Sequence, residues 1–349
     1  MRAARFGAVD RVLSAACGSR FTGAVARIER GGACVFERAY GTTRADGCAQ
    51  PVYADTRFDL ASLTKLFIAT LALRLVAADR LTLDASAGDW IPAWRDGPKR
   101  RITVRMLLAH DSGMHSGADF RALLGDDVER FALSRDLAAP PGERVIYSDL
   151  GFIALGVVVE RAGAGALGAQ VHAAFGSATL GFRPRARDRA AIPATEEDDW
   201  RGRVQGFVHD EKAYLMGGTA GHAGAFGTAA DVAALTEAYL AAACGRRNAL
   251  LPAELAREAI AQQADDPVLR RGLGWALKTS DDNSCGRLMD RRSFGHTGFV
   301  GTCVWADPVR DLQGVLLTNA VYFGRSDTRD LRAAFYEAMV EAAEGAPAR

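Results

Sequence analysis

Ser62 and Lys65 stand three residues apart at the start of an apolar run, Phe58-Asp59-Leu60-Ala61-Ser62-Leu63-Thr64-Lys65-Leu66-Phe67. Positions i and i+3 share a helix face, so the serine hydroxyl and the lysine amine can meet there. A serine becomes a nucleophile only beside a base, and a lysine is a base only once it has lost its proton. Burial and the positive end of a helix dipole both disfavour an ammonium, so a lysine sunk near a helix N-terminus suits that task, whereas an arginine would keep its charge. The composition sharpens the choice: lysine occurs only at 65, 99, 212 and 278, and the other 39 of the 43 basic residues are arginine. Taken alone, Ser-x-x-Lys also fits a serine N-cap followed by a solvated lysine.

Two later segments supply more polar groups. Tyr147-Ser148-Asp149 lies between the turn Pro140-Pro141-Gly142 and the apolar helical run Phe152 to Val159. His296-Thr297-Gly298 lies on a strand-like segment ahead of another strand. With Ser62/Lys65 these follow the order Ser-x-x-Lys, Tyr-x-Asn and Lys/His-Thr-Gly. On those motifs the chain resembles the serine β-lactamase and penicillin-binding superfamily, in the class C-like branch that also contains esterases and D-amino-acid peptidases. The stretches Ile102 to Gly113, Val208 to Glu211 and Gly221 to Gly224 are similar to that family too, and the likeness runs from about residue 20 to 335.

The resemblance implies an α+β, β-lactamase/transpeptidase-like fold and hydrolysis through an acyl-enzyme on Ser62, with no metal or organic cofactor. Lys65 and Tyr147 would share the proton transfers, and the oxyanion would lie between the backbone N–H groups of Ser62 and Phe299. Asp149, His296, Thr297, Gly298 and Phe299 would form the substrate-binding side. Two departures bear on the substrate. Asp149 stands where the pattern has Asn and, ionised, has no N–H to donate; His296 stands where many relatives have Lys and is neutral near pH 7 unless perturbed. Small esters are therefore expected ahead of β-lactams and D-Ala-terminated peptides. A second register, Ser148-Asp149-Leu150, mimics Ser-Asp-Asn, but Leu150 lacks the amide, which leaves Tyr147 as the reacting residue.

These groups need a scaffold. Thr22 to Ile28 and Ala33 to Tyr40, split by Glu29-Arg30-Gly31-Gly32, read as a hairpin. Gly272 to Leu277, Val300 to Ala306 and Gln313 to Ala320 read as further strands, and Thr328 to Glu344 as a closing helix. Strands at both ends predict one antiparallel sheet flanked by terminal helices: a single domain with a sheet lobe at about 1–60 and 270–349 and a mostly helical lobe at about 61–269. Gly163 to Gly168 and the arginine-rich Arg183 to Arg189 read as surface loops.

At 349 residues, 49% hydrophobic and 24% charged, the chain is a full-sized globular protein. Forty-three basic against 42 acidic residues give no global field for nucleic acid or an anionic membrane, so the expected partner is a small-molecule acyl substrate. Met1 to Cys17 reads as an amphipathic helix, because Asp10 and Arg11 interrupt what a secretory signal would keep apolar; the expected location is the cytoplasm. The six cysteines include no C-x-x-C pair. Two other readings stay open on the residues. His110, His115, His209, Asp210, Glu211 and His222 could ligate a metal in a hydrolase, although no H-x-x-x-H or H-E-x-x-H spacing occurs. A sensor on the same fold would acylate without turning over.

Overall fold

The computed structural model describes residues 5–345 except 265, 267 and 268. The chain opens with helix α1 (Gly7–Ala16) and the hairpin β1 (Gly23–Arg30) and β2 (Ala33–Gly41). After β3 (Phe58–Asp59) come helices α2 (Thr64–Ala77), α3 (Val104–Ala109), α4 (Val128–Ser134), α5 (Asp149–Gly163) and α6 (Leu167–Phe175). Short elements follow: β4 (Gly181–Phe182), β5 (Glu196–Asp198), β6 (Gly202–Val204), α7 (Glu211–Leu215) and β7 (Ala225–Gly227), then α8 (Ala229–Ala243) and α9 (Ala253–Ala259). The chain returns as β8 (Ala276–Leu277), β9 (Phe294–Thr297), β10 (Cys303–Asp307) and β11 (Leu312–Thr318), and ends in α10 (Arg329–Glu344).

The main sheet has six antiparallel strands in the order β2-β1-β11-β10-β9-β8. Its centre joins the two ends of the chain: Ala24 faces Thr318 and Arg30 faces Leu312 across β1 and β11. Side chains alternate between the faces of a strand, and in the central strands β1, β10 and β11 both faces are buried, whereas the edge strand β2 is mostly exposed. Ala24, Ala26, Ile28, Cys303, Trp305, Leu312 and Leu316 enter a core with Val9 and Leu13 of α1 and Phe335, Tyr336 and Met339 of α10. Val25, Val304, Ala306, Val315 and Leu317 face the other way, into the larger core shared with α2, α5 and α8. A sheet covered on both sides keeps its strands in register, which fixes where β9 ends.

The expected strand Gly272 to Leu277 pairs only at Ala276–Leu277. Its glycines turn against the helices instead: Gly274 has φ +83, and a Cβ there would come 2.5 Å from Ala69 Cβ of α2. The Gly163 to Gly168 loop is shorter than expected, because α6 starts at Leu167. The middle of the chain also carries two small sheets, β3-β7-β4 and β5-β6, which two- and three-residue strands give no periodicity to announce. At the N-terminus the amphipathic helix begins at Gly7 and buries Val9, Leu13 and Ala16; residues 1–4 lie outside the described residues. No single described helix is long and apolar enough to cross a membrane.

Candidate active site

Ser62 sits in a turn of 3-10 helix, Ala61–Leu63, that leads into α2. Ala61 adopts a left-handed backbone (φ 46), a conformation that L-residues with a Cβ occupy at a cost and that persists only when surroundings hold it. Here the holding group is the buried Asp59 carboxylate, which accepts from Ala61 N–H (2.8 Å) and from His209 N–H (2.6 Å). Burial raises the Asp59 pKa, and those two donors act against it. Leu60 N–H donates to Ala225 O (2.9 Å) and Ala225 N–H to Thr64 Oγ1 (3.1 Å), so β7 pins the turn from its other side.

The end of β9 lies against this turn. A Cβ on Gly298 would stand 2.1 Å from Thr302 Oγ1 and 2.9 Å from Leu60 O, so only glycine allows the two backbones to approach. Among the described residues the N–H groups of Ser62 and Phe299 donate to no acceptor. Two unspent donors beside one hydroxyl are what a developing oxyanion requires.

Lys65 is fully buried. Its Nζ lies 3.0 Å from Ser62 Oγ, 3.1 Å from His222 O and 2.8 Å from Asp149 Oδ1, and 4.9 Å from the centre of the Tyr147 ring. The sequence reading has burial stripping the proton from this amine. Burial does push that way, but the Asp149 charge, with Tyr147 and both hydrogen bonds, outweighs it, and the pKa of Lys65 is raised above its ordinary value. The ammonium is therefore the resting form. The second Asp149 oxygen, Oδ2, lies 3.4 Å from Nζ of the buried Lys212, which is 2.9 Å from Asp210 Oδ2; Asp210 Oδ1 is 2.8 Å from His222 Nε2. Burial alone would raise both carboxyls, yet Lys65, His222 and Lys212 hold Asp149 below its ordinary value, and His222, Lys212 and the Ala213 N–H hold Asp210 well below.

Tyr147 is placed by its neighbours. Ser148 caps α5, its hydroxyl accepting from Gly151 N–H (2.8 Å) and donating to His115 O (2.6 Å). That use of the hydroxyl leaves the Ser148-Asp149-Leu150 register without a reactive group. Ser148 N–H donates to His110 Nδ1 (3.0 Å), and the His110 ring packs 4.6 Å from the Tyr147 ring. His296 packs on Tyr147 at 5.9 Å, and its Nδ1 is 2.8 Å from Thr297 O; a carbonyl only accepts, so Nδ1 carries the proton. Burial first, then the charges of Arg271 and Lys65, push both imidazoles well below the usual histidine range, so both are neutral at pH 7.

Ser62, Tyr147, His296, Thr297, Gly298 and Phe299 line one cavity of about 520 Å³. Ser62, Tyr147 and Phe299 also line a second of about 240 Å³, with Asp149, Asp210 and Lys212. All eight residues expected from the sequence thus converge here. Sequence reasoning assigned no role to Asp59, Lys212 or Arg271, although the scarcity of lysine was a signal for Lys212. Arg271 lies on the cavity wall with its Cζ 5.1 Å from the centre of the Tyr147 ring.

The metal reading fits poorly. Asp149, Asp210 and His222 bring ligand atoms within 4.8 Å of one another, but the ammonium groups of Lys65 and Lys212 already hold both carboxylates. His110 instead orients Ser148, His209 pairs with Glu196 (3.0 Å) and Glu211 with Arg325.

The β-lactamase family profile matches residues 9–338. The chain belongs to the β-lactamase family. Among curated proteins it is similar to esterase EstB of Burkholderia gladioli, 32% identical over 91% of each chain. It is also similar to N-acetylmuramyl-L-alanine amidase of Bacillus subtilis (strain 168), 28% identical over 89% of this chain and 80% of that protein. Among solved structures it is similar to EstCE1, a hydrolase with promiscuous acyltransferase activity, with a TM-score of 0.75 and 22% identity over 96% of this chain and 98% of that one. This β-lactamase-family chain is a serine hydrolase with a β-lactamase/transpeptidase-like fold.

Proposed function

We propose that this β-lactamase-family enzyme hydrolyses small esters through an acyl group carried on Ser62. The observation that supports this most is Lys65 Nζ, 3.0 Å from Ser62 Oγ at the floor of a cavity that also holds Tyr147. With Lys65 as the free amine, its proton released to solvent water beforehand, Ser62 Oγ attacks the ester carbonyl and the hydroxyl proton passes to the Lys65/Tyr147 pair. The oxyanion accepts from the N–H groups of Ser62 and Phe299. Collapse expels the alcohol, protonated by Tyr147, and water then attacks the acyl-enzyme to release the acid and restore Ser62. Tyr147 lines the cavity beside Ser62, and its ring packs against two neutral imidazoles.

Esters rank first because Asp149 offers no N–H to an acylamino group and His296 offers no fixed charge to a carboxylate. A second reading, an acyl substrate with an anionic leaving group, is favoured by Arg271, which lines the cavity and forms no ion pair among the described residues. Short-chain nitrophenyl esters, nitrocefin and D-Ala-D-Ala peptides assayed on wild type and Ser62→Ala test both. The ester reading expects nitrophenyl ester turnover to fall more than about 10³-fold in Ser62→Ala and to survive chelation. Full activity in that variant would overturn it. A stable adduct without turnover would show a sensor instead.

A further inference from the structure

We propose that Lys212 is a positioning residue of this site: it shares the Asp149 carboxylate with Lys65, and so weakens the hold of Asp149 on the Lys65 ammonium, which must be a free amine before it can accept the proton of Ser62. The inference rests on the reading of Ser62 as nucleophile and Lys65 as its proton partner.

Asp149 stands where the motif it resembles has Asn, so this site carries one more buried negative charge than the pattern calls for. A carboxylate 2.8 Å from a buried amine, with nothing else to bind, would lock the ammonium in place. Asp149 is not left that way. Its other oxygen is 3.4 Å from Lys212 Nζ, an amine that reaches the pair from α7. Lys212 is itself buried and is anchored 2.9 Å from Asp210 Oδ2, and Asp210 N-caps α7 by accepting from Ala213 N–H (2.8 Å). The charges therefore alternate along one row, Lys65, Asp149, Lys212, Asp210, with His222 at its end. Lysine is otherwise scarce: two of the four lysines in the chain occupy this row.

The groups facing the row come from several elements. Ser62 and Tyr147 contact Lys65, and His110, His296 and Arg271 pack around the Tyr147 ring. Glu211, beside Lys212, pairs with Arg325, which also holds Glu196. Removing Lys212 leaves Asp149 and Asp210 close together with one ammonium fewer between them, and Lys65 must then neutralise Asp149 alone.

The acid limb of kcat/KM against pH for a nitrophenyl ester tests this, because a merely structural lysine would not move it. Lys212→Gln is expected to shift the limb to higher pH by about one unit, a loss of about tenfold at fixed pH below the limb, while KM changes little. Lys212→Arg keeps the charge and is expected to keep the wild-type limb. In an Asp149→Asn background the Lys212→Gln change is expected to move the limb by less than half as much, since the group it acts through is gone. A Lys212→Gln limb that coincides with wild type, or an equal shift in both backgrounds, would overturn the proposal. Circular dichroism melts and labelling of Ser62 by a serine-directed phosphonate on every variant count folded, competent sites. Loss of phosphonate labelling in the wild type would sink the serine reading itself rather than the role of Lys212.

Discussion

Lys65 and Lys278 are both buried lysines in a chain whose cations are almost all arginine, and they do opposite things. Lys278 follows β8 and spends its protons on carbonyls: Nζ donates to Arg287 O (2.8 Å) and Met289 O (2.7 Å) and pairs with Asp281 at 3.1 Å. It staples the 279–293 segment to the sheet and faces no reacting group. Lys65 has one carbonyl, one carboxylate and the Ser62 hydroxyl around it, with Tyr147 beside them, and Ser62 and Tyr147 open onto a cavity. Burial alone thus says little about a lysine. A set of carbonyls fixes the ammonium permanently, whereas a hydroxyl partner in a cavity gives its proton somewhere to go.

The largest effect that would break this contrast is at Lys65. Lys65→Arg is expected to cost more than about 10³-fold in ester turnover with an unchanged circular dichroism spectrum, because a guanidinium cannot accept the proton. Retained turnover would make Lys65 another staple. A smaller effect sharpens its electrostatics. The pKa of Lys65 is raised and the free amine is the working form, so wild-type kcat/KM is expected to climb as pH rises through that value. Asp149→Asn removes the carboxylate that raises it, and the climb is expected to begin at lower pH; a shift the other way would contradict the assignment of Asp149. At Lys278 the expected effect lies in stability alone: Lys278→Met leaves the buried Met289 carbonyl and the part-buried Arg287 carbonyl without their donor and should cost about 1–3 kcal/mol in a urea melt, with kcat per folded molecule unchanged. A fall in kcat there would erase the distinction.

Much of the site was legible because its parts are local. Ser62 and Lys65 meet by helix spacing, Tyr147 and Asp149 lie ahead of a recognisable apolar helix, and His296-Thr297-Gly298 ends a recognisable strand. The main sheet was legible from alternation at both termini, apart from β8, where the backbone of Gly274 turns away. The small sheets β3-β7-β4 and β5-β6 were not, since two or three residues hold no period. Neither was the Asp59 clamp, whose donors come from Ala61 beside it and from His209 far along the chain.

By itself the sequence determined which side chains could react and which of them a helix face or a strand end would present together, because spacing along regular backbone is a local property. Only the tertiary structure decided the protonation of Lys65. That depends on Asp149 on α5, Lys212 and Asp210 around α7 and the His222 carbonyl before β7, groups brought within a few ångströms by packing that no spacing encodes. Inside a buried site such neighbours outweigh desolvation, and the amine that burial would discharge stays charged.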